Sequence, residues 1–193
     1  MYSQYGEDDV FGPMLPTHGR MLEIGAWDPV TFSNSRMLIE HGWEAVLVDM
    51  SPGPVRSLVS SYGNNSKVKI IQAAIHPCDS GLFQYRITDD GLSSAHYTTI
   101  QKWESSGGYF GYLWVCQIDL KSFLDQVGGK FDFVSVDAEG ISVDLAVAYL
   151  NLGHRPPVMC VEHDDRIVEL MNTAQQYGYS AKWTNGTNVI IAR

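Results

Sequence analysis

The sequence is short of cations. Lys and Arg number 13 against 22 Asp and Glu, a formal charge of 13 − 22 = −9 over 193 residues. A nucleic-acid backbone asks for a basic face, so this balance predicts no nucleic-acid partner. Cysteine is scarce too. Cys78, Cys116 and Cys160 are odd in number and widely spaced, with no Cys-x-x-Cys pair. That pattern implies neither a disulfide framework nor a cysteine zinc site. Cys116 and Cys160 lie in apolar runs and are expected as buried thiols. No apolar run approaches membrane-spanning length, and the N-terminus lacks a charged-then-apolar leader. The expectation is a soluble, cytoplasmic chain with no membrane partner. Repeats, low-complexity tracts and linkers are missing as well. With 45% hydrophobic content, residues 1–193 suffice for one core and one domain.

The rest of the chain is organised around Arg20 to Pro52. Met21 to Ile24 and Ala45 to Val48 are short apolar runs flanking a segment in which Phe32, Asn34, Met37, Leu38 and His41 have helical spacing. Ser33 suits a helix cap, and Gly42 suits the left-handed residue that ends a helix. Strand, turn, helix, strand is a βαβ unit with parallel strands, and ligands of such sheets bind beyond the strands' carboxyl ends. Those ends carry Glu23, Gly25, Asp28 and Asp49.

Further strands are expected at Lys67–Ile71, Leu82–Thr88, Tyr109–Ile118, Phe131–Val136 and Pro157–Val161. Helices are expected at Ser3–Phe11, Ser51–Tyr62, His96–Ser105, Asp119–Val127, Ile141–Leu152 and Asp164–Tyr177. Asn185-Gly186 marks a terminal hairpin between Gly178–Trp183 and Asn188–Ala192. Alternating strands and helices predict a doubly wound α/β domain.

The first βα turn also lacks something. A dinucleotide site wants G-x-G-x-x-G, whereas Gly25-Ala-Trp-Asp-Pro-Val has one glycine of three, and Trp27 and Pro29 suit a pyrophosphate poorly. S-adenosylmethionine carries no phosphate. Glu23 suits its amine, Gly25 lets it lie against the backbone, and Asp49 is placed for both ribose hydroxyls. An NAD(P)-dependent oxidoreductase is disfavoured by the missing glycines and by the lack of a Tyr-x-x-x-Lys pair.

Six segments in order resemble the FkbM-type methyltransferases, a family of class I S-adenosylmethionine-dependent enzymes. They are Ser3-Gln-Tyr-Gly-Glu-Asp, Leu22-Glu-Ile-Gly-Ala-Trp-Asp-Pro with Ser33-Asn34, Val48-Asp-Met-Ser-Pro, Ala73 to Gly81, Val136-Asp-Ala-Glu-Gly140, and Val161-Glu-His163. Pro29 stands where the family usually has glycine, and Asp49 where glutamate is usual. The resemblance implies a mostly parallel Rossmann-like sheet with a C-terminal antiparallel hairpin, of class I methyltransferase type. It implies cofactor contacts from Glu23, Gly25, Ala26, Trp27, Asp28, Asn34, Asp49, Met50 and Ala74. The expected activity is O-methylation of a small-molecule hydroxyl, on a sugar or natural product, with a homodimer compatible. A non-catalytic cofactor-binding or interaction module is the alternative of another class.

Asp137, Glu139, Glu162 and His163 come together if their two strands are neighbours. Crowded carboxylates repel unless protonated or bridged by a cation. Three readings stay open. Asp137, Glu139 and Glu162 hold Mg2+ or Mn2+; Asp137, Glu162 or His163 is a metal-free catalytic base; or the groups cap a helix. The metal-free base is favoured. Trp103, Tyr109, Tyr112 and Trp114 are read first as packing of a covering element on the sheet and second as walls of an acceptor pocket. His96 is a candidate cleft residue, and Gln4 and Tyr5 either cover the cofactor or belong to an ordinary N-terminal helix.

Overall fold

The computed structural model describes residues 2–87 and 111–193. Ten strands and six α-helices are found among them. The strands are β1 (Arg20–Ile24), β2 (Glu44–Asp49), β3 (Val68–Gln72), β4 (Ala74–His76), β5 (Gly81–Ile87), β6 (Gly111–Asp119), β7 (Phe133–Val136), β8 (Val158–Glu162), β9 (Ser180–Thr184) and β10 (Asn188–Ala192). The helices are α1 (Glu7–Phe11), α2 (Arg36–Glu40), α3 (Pro52–Tyr62), α4 (Leu120–Val127), α5 (Ser142–Asn151) and α6 (Ile167–Gln176).

Seven strands form one sheet in the order β3-β2-β1-β7-β8-β10-β9. β1 is parallel to β2 and β7, while β10 is antiparallel to both β8 and β9. The α/β fold is therefore the expected one, with the last strand inserted beside β8. The order reverses between β1 and β7, and such a switch point opens a crevice at the carboxyl ends of the strands.

Both faces of the sheet are covered, which is why β7 and β10 are buried along their whole length. Leu22 and Ile24 join Val134, Val136, Val161 and Val189 in a cluster closed by Phe123 of α4, Leu145 of α5 and Leu170 of α6. On the other face Met21, Leu47, Phe133, Cys160 and Ile190 pack against Phe11 of α1, Leu38 of α2 and Leu58 of α3. Strand alternation puts Glu23 on the same face as Met21. Glu23 is thus a carboxyl at the end of an apolar row, and it is 4% exposed.

Several elements differ from the sequence expectation. α1 starts at Glu7, and Ser3 stays outside the helix while its Oγ accepts from the Asp8 N–H at 3.1 Å. α2 has only five residues, and Phe32 and Asn34 precede it; Ser33 Oγ still accepts from Arg36 N at 3.1 Å. α6 begins at Ile167 because Asp164 and Asp165 take left-handed φ values of 45° and 59°. The middle of the chain forms a second sheet, β4-β6-β5. Cys160 is buried as expected, but Cys116 is exposed, because it lies on the open face of β6, the central strand of that small sheet. The helix expected at His96–Ser105, together with Trp103 and Tyr109, lies outside the described residues. No helix among those described is long and apolar enough to cross a membrane.

Candidate active site

A cavity of about 530 Å³ opens at the carboxyl ends of β1, β2 and β7. Glu23, Gly25, Ala26, Trp27, Asp28, Asn34, Asp49, Met50 and Ala74 all line it, as do Asp137 and Glu139. The nine positions expected to hold a cofactor therefore share one space.

Backbone geometry builds the floor. Gly25 has φ +85° and its N–H donates to the Val48 carbonyl at 2.9 Å, as does Ala26 N–H at 3.0 Å. A Cβ on Gly25 would lie 1.6 Å from the Asp137 carbonyl oxygen. Glycine is required here by the approach of β1 to β7, and the same residue lines the cavity. Trp27 has φ 36° and stacks on Phe32, with centroids 6.1 Å apart. Asp28 Oδ1 accepts from the Val30 and Thr31 N–H groups at 2.8 and 2.7 Å, so this carboxylate holds the turn together.

Asp49 Oδ2 accepts from Trp27 N–H at 3.0 Å and Oδ1 from Ser51 N–H at 2.8 Å. Burial raises its pKa, while those amides oppose the shift. A carboxylate has about four lone-pair sites, so acceptor capacity remains on both oxygens.

Two buried acceptors in the cavity have no partner within the protein: Glu23 Oε2 and Asn34 Oδ1. Asn34 uses its amide nitrogen on Ser135 Oγ at 3.1 Å, which fixes the oxygen's direction. Burial pushes the Glu23 carboxyl up to about 8, with the Asp137 and Asp49 charges adding and the Ser35 hydroxyl and Asn34 backbone N–H opposing. Orphaned buried acceptors are costly and point to a ligand that donates.

Asp137 and Glu162 end the neighbouring parallel strands β7 and β8. Oxygen atoms of Asp137, Glu139 and Glu162 lie within 4.8 Å of one another. Burial is the largest cause raising both Asp137 and Glu162, and a hydrogen bond joins the two carboxyls. Glu162 is the member that keeps its proton, because the negative charges of Asp137, Glu139 and Asp164 surround it. Its Oε2 also accepts from Ser142 Oγ at 3.2 Å, and that oxygen accepts from Ala138 N–H at 2.8 Å. Glu162 stands behind Asp137 and does not line the cavity.

His163 does not join this group. It is 5% exposed, and its Nε2 lies 3.0 Å from the Asn185 carbonyl in the hairpin turn. The strand's last pleat turns its ring away from the cavity, so the expected catalytic contact is not made. Tyr112 and Trp114 are also displaced: they are 64% and 60% exposed and do not line the cavity. Antiparallel pairing places Trp114 opposite Gln84 on one face and Val115 opposite Phe83 on the other. Phe83 and Tyr85 line the cavity instead.

The sequence reading also missed Glu7 and Asn188. Glu7 is fully buried; its Oε1 accepts from Asn188 Nδ2 at 2.7 Å and its Oε2 from Tyr5 N–H at 2.8 Å. Both side chains line the cavity, joined there by Gln4, whereas Tyr5 is 51% exposed and does not. Acidic residues in a first turn look like dipole partners, and only a contact across 181 positions distinguishes Glu7.

No protein-family model matches this sequence, and no curated protein matches it. Among solved structures, the chain is similar to a precorrin-6y C5,15-methyltransferase from Geobacter metallireducens, with 10% identity, a TM-score of 0.55, and coverage of 100% of this chain and 88% of that one. It is also similar to a candidate rRNA-methylase from Clostridium thermocellum, with 10% identity, a TM-score of 0.50, and coverage of 100% and 96%. A candidate tRNA methyltransferase from Streptococcus pneumoniae gives 11% identity, a TM-score of 0.50, and coverage of 98% and 69%. At these identities the likeness is one of fold, that of class I methyltransferases. The neighbours correct the expectation that nucleic acid is excluded, since two of the three are described as RNA methylases. Summed charge was the wrong quantity, because nucleic-acid binding follows where the cations lie on the surface.

Proposed function

We propose that this chain is an S-adenosylmethionine-dependent methyltransferase of FkbM type, formed by residues 1–193 as one domain, and that its acceptor is a hydroxyl. One observation carries most of the reading: Glu23 Oε2 and Asn34 Oδ1 are buried, unpartnered acceptors in the same cavity as Asp49. An ammonium has three donors and no acceptor, and a ribose edge offers two hydroxyl donors. The residues present therefore fit the cofactor. Glu23 and Asn34 would hold its amino end, Asp49 its ribose, and Gly25 and Ala26 would present bare backbone. Met50 and Ala74 would flank the adenine.

When bound, the cofactor supplies an electrophilic methyl group on a sulfonium. The chain's own work is then alignment and proton removal. Two reactants held in line can gain several kcal/mol over the free reaction, so positioning accounts for most of the rate. A hydroxyl must also lose its proton as the methyl arrives. Asp137 lines the cavity and is hydrogen-bonded to protonated Glu162, so Asp137 is the anionic member able to accept that proton. A hard cation bound among Asp137, Glu139 and Glu162 would ionise Glu162, and sensitivity to a chelator separates that reading from the metal-free base. His163 would support the hairpin only.

The experiment is calorimetric titration with S-adenosylhomocysteine and, separately, NAD. Methyl transfer from labelled S-adenosylmethionine is then followed to polyols, phenols and structured RNA. We expect S-adenosylhomocysteine to bind and NAD not to bind. Absence of S-adenosylhomocysteine binding would defeat the cofactor assignment. Transfer to nitrogen or carbon acceptors only would defeat the hydroxyl assignment and leave the cofactor standing.

A further inference from the structure

The turn between β4 and β5 carries a second set of ligand-type side chains, His76, Cys78 and Asp79, from three different chemical classes. His76 and Asp79 also line the rim of the cavity. His76 Nδ1 lies 3.9 Å from Cys78 Sγ and 3.6 Å from Asp79 Oδ2. We propose that these three side chains form a binding site for a zinc-type divalent ion at the cavity rim, separate from the cofactor contacts.

Bond lengths make the first argument. Zinc binds thiolate sulfur at about 2.3 Å, and imidazole nitrogen and carboxylate oxygen at about 2.0–2.2 Å. Tetrahedral angles then place S and N about 3.6 Å apart, and N and O about 3.4 Å apart. The turn already holds its donors within a few tenths of an ångström of both separations. Small side-chain rotations close the difference.

The ring is also turned the right way. Nδ1 accepts from the Cys78 and Asp79 N–H groups at 3.4 and 3.2 Å, so its lone pair points into the turn. Both contacts exceed the usual 2.9–3.0 Å, so they are weak and an ion displaces them at small cost. The turn is held in place from outside the donor set. Gln117 Nε2 donates to the Asp79 carbonyl at 3.1 Å, and Ser80 Oγ donates to Asp119 Oδ2 at 2.7 Å. Gln117 in turn receives the Tyr85 hydroxyl proton. Thiolate with imidazole selects zinc over magnesium or calcium, which prefer oxygen. Three protein ligands leave the fourth position to water. The sequence pattern His-x-Cys-Asp escapes a search for paired cysteines, because all three donors come from a single turn.

Cobalt(II) is the probe, since it takes zinc sites and reports thiolate ligation by a near-ultraviolet charge-transfer band. Titrating the reduced full chain should produce this band with one cobalt per chain, and zinc should bleach it. Cys78→Ser should abolish the band, His76→Ala should weaken binding at least tenfold, and Cys116→Ser should leave it unchanged. Circular dichroism confirms that each variant is folded. No band at saturating cobalt, or a band that survives Cys78→Ser, overturns the site. Because the readout needs neither cofactor nor acceptor, it stands or falls independently of methyl transfer.

Discussion

Replacing Glu23 by Gln tests the core of the functional reading. The carboxyl is isosteric with the amide, so packing is kept while the ability to ionise is lost. Free of ligand, the Glu23 carboxyl titrates at about 8 because burial disfavours its charge. Pairing with an ammonium requires the ionised form. At pH 6.5 the wild type must first ionise this group, at a cost of about 1.5 units or roughly 2 kcal/mol. Above pH 8.5 the cost disappears, and the charged hydrogen bond contributes its full ~1.5–3 kcal/mol. Wild-type affinity for S-adenosylhomocysteine should therefore rise with pH by up to about tenfold per unit until it levels near 8. Asp137 titrates lower, raised only to about 6, so the window from 6.5 to 8.5 reports mainly on Glu23. In Glu23→Gln the slope should vanish. The two proteins should bind alike at pH 6.5 and differ roughly ten- to hundredfold at pH 8.5. Calorimetry in buffers of different ionisation enthalpy should show proton release in the wild type alone. An unchanged slope in the variant would refute the pairing of Glu23 with the amine.

The same residue governs stability without ligand. Its folded pKa of about 8 lies above the ordinary 4.5, so its contribution is full below pH 4.5 and is lost as pH rises to about 8. Glu23→Gln should raise the melting temperature at pH 8.5 and leave it nearly unchanged at pH 4.5; a drop at pH 8.5 would contradict the burial argument. Asp49→Ala should weaken S-adenosylhomocysteine binding by ~1.5–3 kcal/mol while the chain stays folded, and unchanged affinity would remove Asp49 from the ribose contact. Gly25→Ala should yield little folded protein, because its Cβ meets the Asp137 carbonyl at 1.6 Å; a normally folded variant would mean that the strand ends separate more easily than this packing allows. Asp137→Asn should lower the turnover and flatten the rise of rate with pH near 6, with chelator having no effect. A loss of activity on chelation, restored by magnesium, would favour the metal reading instead.

The sequence alone determined the sheet, because its information is local and periodic. The runs at β1, β2, β7, β8 and β10 are dense in apolar residues, Gly42 and Gly63 stop helices, and Asn185-Gly186 turns the hairpin. The acids at the ends of β1, β2 and β7 are legible for the same reason, since Glu23 interrupts an apolar run and Asp49 and Asp137 each directly follow one. The helices expected to start at Ser33 and Asp164 begin later, at Arg36 and Ile167, because left-handed backbone at Phe32, Asp164 and Asp165 leaves no mark in residue spacing. Only tertiary structure could decide which charged groups meet. Glu7 reaches Asn188 across the chain, and Ser135 orients Asn34 from a neighbouring strand. His163 follows Glu162 directly, yet it leaves for the hairpin while Glu162 stays with Asp137. Successive residues on a strand point to opposite faces, so adjacency in sequence separates side chains that the sheet cannot hold together.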